Sequence, residues 1–126
     1  MTMKAEELLS ELKALAEARG LTDSALDSCQ RSLEIARQDA LEANVPFLED
    51  RPLSELILKW RRHSLVFGHY VLGPFLETTV GIYVPDPSGV WFESMRPIGY
   101  YSLLTDLATG EIQDDVLELP DGPVSA

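Results

Sequence analysis

Residues 75–84 read FLETTVGIYV, and the fold follows from how that stretch alternates. Successive side chains on an extended chain point to opposite faces, so Leu76, Thr78, Val80, Ile82 and Val84 share one side. Phe75, Glu77, Thr79, Gly81 and Tyr83 share the other. The first set is apolar but for one threonine, and the second is mixed. Two unlike faces are the mark of an antiparallel strand that buries one side and leaves the other open. β-branched and aromatic residues, which suit a pleated surface, fill the stretch.

The neighbouring segments on both sides are of the same kind. His63–Leu72 is a second run rich in Val, Phe, Tyr and Leu, set apart by Leu72-Gly73-Pro74. On the other side, Pro85-Asp86-Pro87-Ser88-Gly89 is a turn by composition. Val90–Met95 is expected to be a third strand, interrupted at Arg96-Pro97. Gly99–Leu107 and Glu111–Leu119 flank Ala108-Thr109-Gly110, a short hairpin connection. The first half has a different period. Leu8, Leu9, Leu12, Leu15 and Ala16 recur at spacings of three and four, as on one stripe of a helix over residues 3–19. Thr2 is a candidate cap, Glu6 and Glu7 suit the positive end of the helix dipole, and Gly20 is a stop. Leu26, Cys29, Leu33, Ala36 and Ala40 mark a second helix capped by Thr22 and ended by Asn44 and Pro46. A third, shorter helix is expected from Pro52, burying Leu53, Leu56, Ile57 and Trp60.

Helices followed by strands, without alternation, mean an α+β fold. The expectation is about three N-terminal helices on one face of an antiparallel meander of about five strands. All 126 residues then form one domain: a helical layer over 1–62, a sheet over 63–119, and a loose tail over 120–126.

Charge is divided unevenly along the chain. Residues 1–62 carry nine Lys and Arg against twelve Asp and Glu, whereas residues 63–126 carry Arg96 alone against nine carboxylates. The net charge of −11 therefore resides mainly in the sheet half. Such a field draws in cationic partners and repels nucleic acid and anionic lipid, so no nucleic-acid or membrane partner is expected. There is no stretch of eighteen apolar residues and no signal-like N-terminus, which makes the cytoplasm the expected location.

Few residues suggest chemistry. The single cysteine, Cys29, excludes an intrachain disulfide and lies on the apolar stripe of the second helix. His63 and His69 fall on one face of an unbroken strand, and a turn at Gly73 would set His69 opposite Glu77. These three residues would suit a small enzyme or a ligand pocket, but they lack a third metal ligand or a nucleophile. Asp106, Glu111, Asp114, Asp115 and Glu118 crowd the last hairpin, yet Asp114 and Asp115 point to opposite faces and no calcium-loop pattern occurs. No phosphate-binding glycine motif is present either, and with the ligand sets incomplete neither a metal nor a cofactor is expected. Lys59, Arg61 and Arg62 beside Trp60 would complement the negative end of the third helix. Of the neighbours Tyr100 and Tyr101, one must face inward and one outward.

The expected function is binding rather than catalysis: an acidic, non-enzymatic module of the inhibitor or immunity type that covers a basic surface of another protein. Asp106, Glu111, Asp114, Asp115 and Glu118 would supply the charge, with Trp91, Tyr100 and Tyr101 as aromatic anchors. One alternative is an assembly or scaffold subunit docking through Leu8, Leu12 and Leu15. The other is the small enzyme or ligand-binding domain built on His63, His69 and Glu77. The sequence leaves the oligomeric state open.

Overall fold

A computed structural model of the chain describes residues 4–120, apart from the side chain of Glu49. The architecture is α+β: two helices packed against a four-stranded antiparallel sheet. Helix α1 spans Ala5–Ala18 and helix α2 spans Leu21–Glu42. Strands β1 (Ile57–Val66), β2 (Phe75–Pro85), β3 (Met95–Asp106) and β4 (Ile112–Glu118) follow as a simple meander in the order β1-β2-β3-β4. The expected Thr2 cap and nearly all of the expected tail lie outside the described residues.

Gly20 separates the helices by adopting a left-handed backbone (φ 59°) that residues with a Cβ rarely take. It also occupies the cap position of α2. Thr22 therefore sits inside the first turn and does not cap it, contrary to expectation. Helix α2 lays Ala25, Cys29 and Leu33 on Val80, Ile82, Tyr101 and Leu103, which form the main core. Alanine and cysteine on the contact stripe keep the helix close to the sheet. Each large apolar side chain buried there contributes roughly 1.5–3 kcal/mol. Burial pushes the Cys29 thiol up to about 12, so it stays protonated and acts as a small core residue. A second cluster of Ala16, Leu21 and Leu76, with Leu12, Leu15 and Leu107 against it, holds α1 at one corner of the sheet.

Two expected elements are absent. The third helix is replaced by one 3₁₀ turn at Leu53–Glu55, and β1 begins directly after it at Ile57. Leu56, Leu58 and Trp60 alternate as well as Leu53, Leu56, Ile57 and Trp60 repeat. A helix this short is marginal on its own, whereas pairing with β2 satisfies its backbone. The separate strand at Val90–Met95 is also missing. Gly89, Glu93 and Ser94 all have positive φ, which breaks any extended run before Met95. From there β3 continues through Arg96-Pro97, because a register shift opposite Ile82 and Tyr83 accommodates the proline.

Candidate partner-binding face

Helix α2 covers only one side of the sheet. That covered side carries Val80, Ile82, Tyr101 and Leu103. Cross-strand pairing assigns the other side. Tyr100 lies opposite Glu118, Ser102 opposite Val116, and Leu104 opposite Asp114. Tyr100, Asp114, Val116 and Glu118 therefore form one row on the uncovered side, at the β4 margin. Tyr100 and Val116 are 44% and 38% exposed, and both carboxylates are exposed. Among the described residues, neither Asp114 nor Glu118 has a cation within ion-pair distance.

The remaining acids of the expected set have other surroundings. Asp115 points to the covered side, where it accepts hydrogen bonds from the Tyr101 hydroxyl (2.9 Å) and the Ser32 hydroxyl of α2 (3.4 Å). The opposed directions of Asp114 and Asp115 follow the strand alternation. Asp106 stays within its own turn, accepting from the Thr109 amide (2.8 Å) and hydroxyl (3.1 Å). The amide hydrogen bond from Thr109 is the main reason its carboxyl lies below the usual range. The guanidinium of Arg19 donates to the carbonyls of Asp106, Leu107 and Ala108, so a cation of the helical half partly offsets the charge of this turn. Glu111 is exposed just beyond it.

The aromatic residues separate too. Tyr101 is 0% exposed and offers no contact area. Burial first, and the neighbouring Asp115 second, push its hydroxyl up to about 12. Trp91 lies in the β2–β3 loop, at the end of the sheet opposite the Asp106 turn. Strand β3 spans the distance between them, about 35 Å for twelve residues. The structure thus brings together Tyr100, Asp114 and Glu118 from the expected set, adds Val116, and leaves Trp91 and Tyr101 out.

The expected pairing of His69 with Glu77 does not form. Residues 67–74 make a loop rather than a tight turn, so Glu77 lies opposite Ser64 on the uncovered side. His69 folds back in that loop, its Nδ1 accepting from the amides of Val71 (3.1 Å) and Leu72 (3.0 Å). His63 faces the covered side, with Nδ1 2.9 Å from the Thr78 hydroxyl and Nε2 3.5 Å from that of Thr22. Burial holds its pKa below the ordinary histidine value. The three side chains therefore occupy three separate environments. Among the described residues, no group of three His, Cys, Asp or Glu is placed to hold a metal ion.

The basic cluster is on a strand, not at a helix end. A bulge between Trp60 and Arg62 leaves Arg61 as the extra residue and turns both arginines to the uncovered side. Arg61 stacks over the Tyr83 ring at 5.2 Å, and Lys59 and Arg62 lie opposite Gly81 and Thr79. Alternation of Leu58 and Trp60 with Lys59 and Arg61 was the signal in the sequence that could have placed them. Between the basic and acidic margins runs a concavity of about 320 Å³ floored by Thr79, Gly81, Gly99 and Ser102. Two glycines give that floor its close contacts. A Cβ on Gly81 would strike the Tyr83 ring, and one on Gly99 would strike the Glu118 backbone. A second groove, about 410 Å³, opens between α1 and β1, with Leu9, Leu12, Trp60 and Leu65 in its lining.

Searches against protein-family models, curated proteins and solved structures returned no match to the chain. No helix among the described residues is long and apolar enough to cross a membrane.

Proposed function

We propose that this protein is a non-enzymatic binding module that docks a basic surface of another protein against its β4 margin. It would act as an inhibitor or immunity-type protein covers its target. One observation carries the reading: Tyr100, Asp114, Val116 and Glu118 stand side by side, exposed, on a sheet face that no helix covers. Aromatic and aliphatic side chains between two unpaired carboxylates supply contact area and long-range attraction together. Carboxylates in such a position can take the places of phosphates in a basic site. The test compares wild type with Tyr100→Ala/Glu118→Lys as immobilised bait in extract of the source cell. Wild type is expected to retain a basic protein that the variant loses, and retention should weaken between about 0.05 and 0.5 M salt as charges are screened. Equal retention by both baits, or none that responds to salt, removes the reading.

A second reading, docking through the N-terminal helices, is favoured by a different observation. Of the stripe Leu8, Leu12 and Leu15, Leu8 alone is exposed (45%), since Leu12 and Leu15 pack against the Ala16, Leu21 and Leu76 cluster. Leu9, 53% exposed, lines the groove between α1 and β1. Bait carrying Leu8→Ser/Leu9→Ser separates the two, since each reading expects a different bait to lose the partner.

A further inference from the structure

The meander ends in two unpaired edges. Strand β1 pairs only with β2, and β4 only with β3. Among the described residues, neither makes a backbone hydrogen bond to any other element on its outer side. An outward row of N–H and C=O groups is a template for another strand. We propose that the strand fitting the β4 edge is β1 of a second copy of this chain, so that the sheets of successive copies continue head to tail. This rests on reading the β4 margin as a docking surface and names a partner for it.

Direction permits the contact. In a four-stranded antiparallel meander the first and last strands run oppositely. A second copy in the same orientation therefore brings its β1 antiparallel to β4 and keeps both helical layers on one side. Charge then selects it. On the uncovered side β4 presents Asp114 and Glu118, and β1 presents Lys59, Arg61 and Arg62. None of these five forms an ion pair among the described residues. A β4–β1 contact places acids across from bases, whereas β4–β4 and β1–β1 contacts place like charges opposite each other, which is destabilising. The same charges that block symmetric pairing leave one arrangement open. Both edges also expose apolar side chains: Ile112 and Val116 on β4, Trp60 and Leu65 on β1. The interface is heterologous, so copies would close into a ring or continue as a fibre.

The experiment is sedimentation of the full chain over a range of concentrations at about 0.15 M salt, where the Debye length of about 8 Å screens the repulsion between net negative molecules. Wild type is expected to gain mass with concentration. Lys59→Glu/Arg62→Glu, which keeps Arg61 stacked on Tyr83, and Asp114→Lys/Glu118→Lys should each weaken association at least about tenfold. An equimolar mixture of the two variants should restore it, because every β4–β1 contact between unlike variants is again complementary. A wild type that stays monomeric at all concentrations overturns the inference, and so does association that survives either charge reversal or fails to return in the mixture. Capture of a foreign basic protein is read separately, so loss of self-assembly leaves that reading standing.

Discussion

The two faces of the sheet are almost equally dry at their centres and reach that state by different means. On the covered face, Val80, Ile82, Tyr101 and Leu103 are sealed by Ala25, Cys29 and Leu33 of α2. On the uncovered face, Thr79 and Ser102 are 6% and 2% exposed with no helix above them. Their hydroxyls bond to each other at 3.3 Å, while the Tyr83 ring lies over Gly81 and Arg61 stacks on Tyr83. A helix excludes water by apolar contact over a wide area. Here, long side chains from the sheet itself do so over a narrow one. The uncovered face can therefore keep a concave, partly polar centre with charged margins, which is the form a docking surface needs.

This difference can be probed by substitution. Ile82→Ala removes the centre of the covered face and is expected to cost about 2–5 kcal/mol, read from denaturant midpoints. Thr79→Val on the uncovered face breaks one hydroxyl pair and should cost about 1 kcal/mol. Equal costs would erase the distinction between the faces.

Gly99→Ala comes next, at about 1–3 kcal/mol, because the added methyl meets the Glu118 backbone and forces β4 away. Hydrogen exchange should quicken in β4 and not in β2. Uniform quickening would mean that β4 is not a separable margin.

Tyr101→Phe removes the hydrogen bond to Asp115 and should cost about 1.5–3 kcal/mol, since the acceptor is charged. The fold raises the Tyr101 hydroxyl from 10.0 to about 12. A raised pKa means that the folded state holds the proton more tightly. Its stabilisation is complete below about pH 10 and is lost as pH climbs through about 12. A tyrosinate absorbance titration should show one late tyrosine, absent in Tyr101→Phe.

The smallest effect belongs to His63. Its folded pKa is depressed, so the folded state binds its proton less readily than the unfolded chain. The contribution is present above the ordinary value of 6.5 and is lost as pH falls below it. His63→Gln should flatten the stability profile between pH 7 and 5. If the profile keeps its slope, the Thr22–His63–Thr78 contact does not govern it.

Much of this was legible in the sequence, and the exceptions share a cause. The stripes Leu8-Leu12-Leu15 and Leu26-Cys29-Leu33 repeat within their own segments, and α1 and α2 follow them closely. The alternation of residues 75–84 divided β2 into the two faces the sheet shows, and the neighbouring pairs Tyr100–Tyr101 and Asp114–Asp115 had to split between them. What failed was whatever needed a partner to be decided. Residues 53–60 fit both a helical and a strand period, and only the backbone of β2 selects the strand. The aromatic run 67–72 has strand composition but receives no ladder, so His69 never meets Glu77.

The amino-acid order alone determined the α+β class and the excess of carboxylates in its later strands, because these depend on local period and composition. Only the tertiary structure decided the register, the bulge at Arg61 and the capture of Asp115 by Tyr101 and Ser32. Those outcomes are set by competition among distant groups for the same hydrogen bonds and the same buried space. That competition also separated Asp115, bonded to Tyr101 and Ser32, from Asp114 and Glu118, which stay exposed.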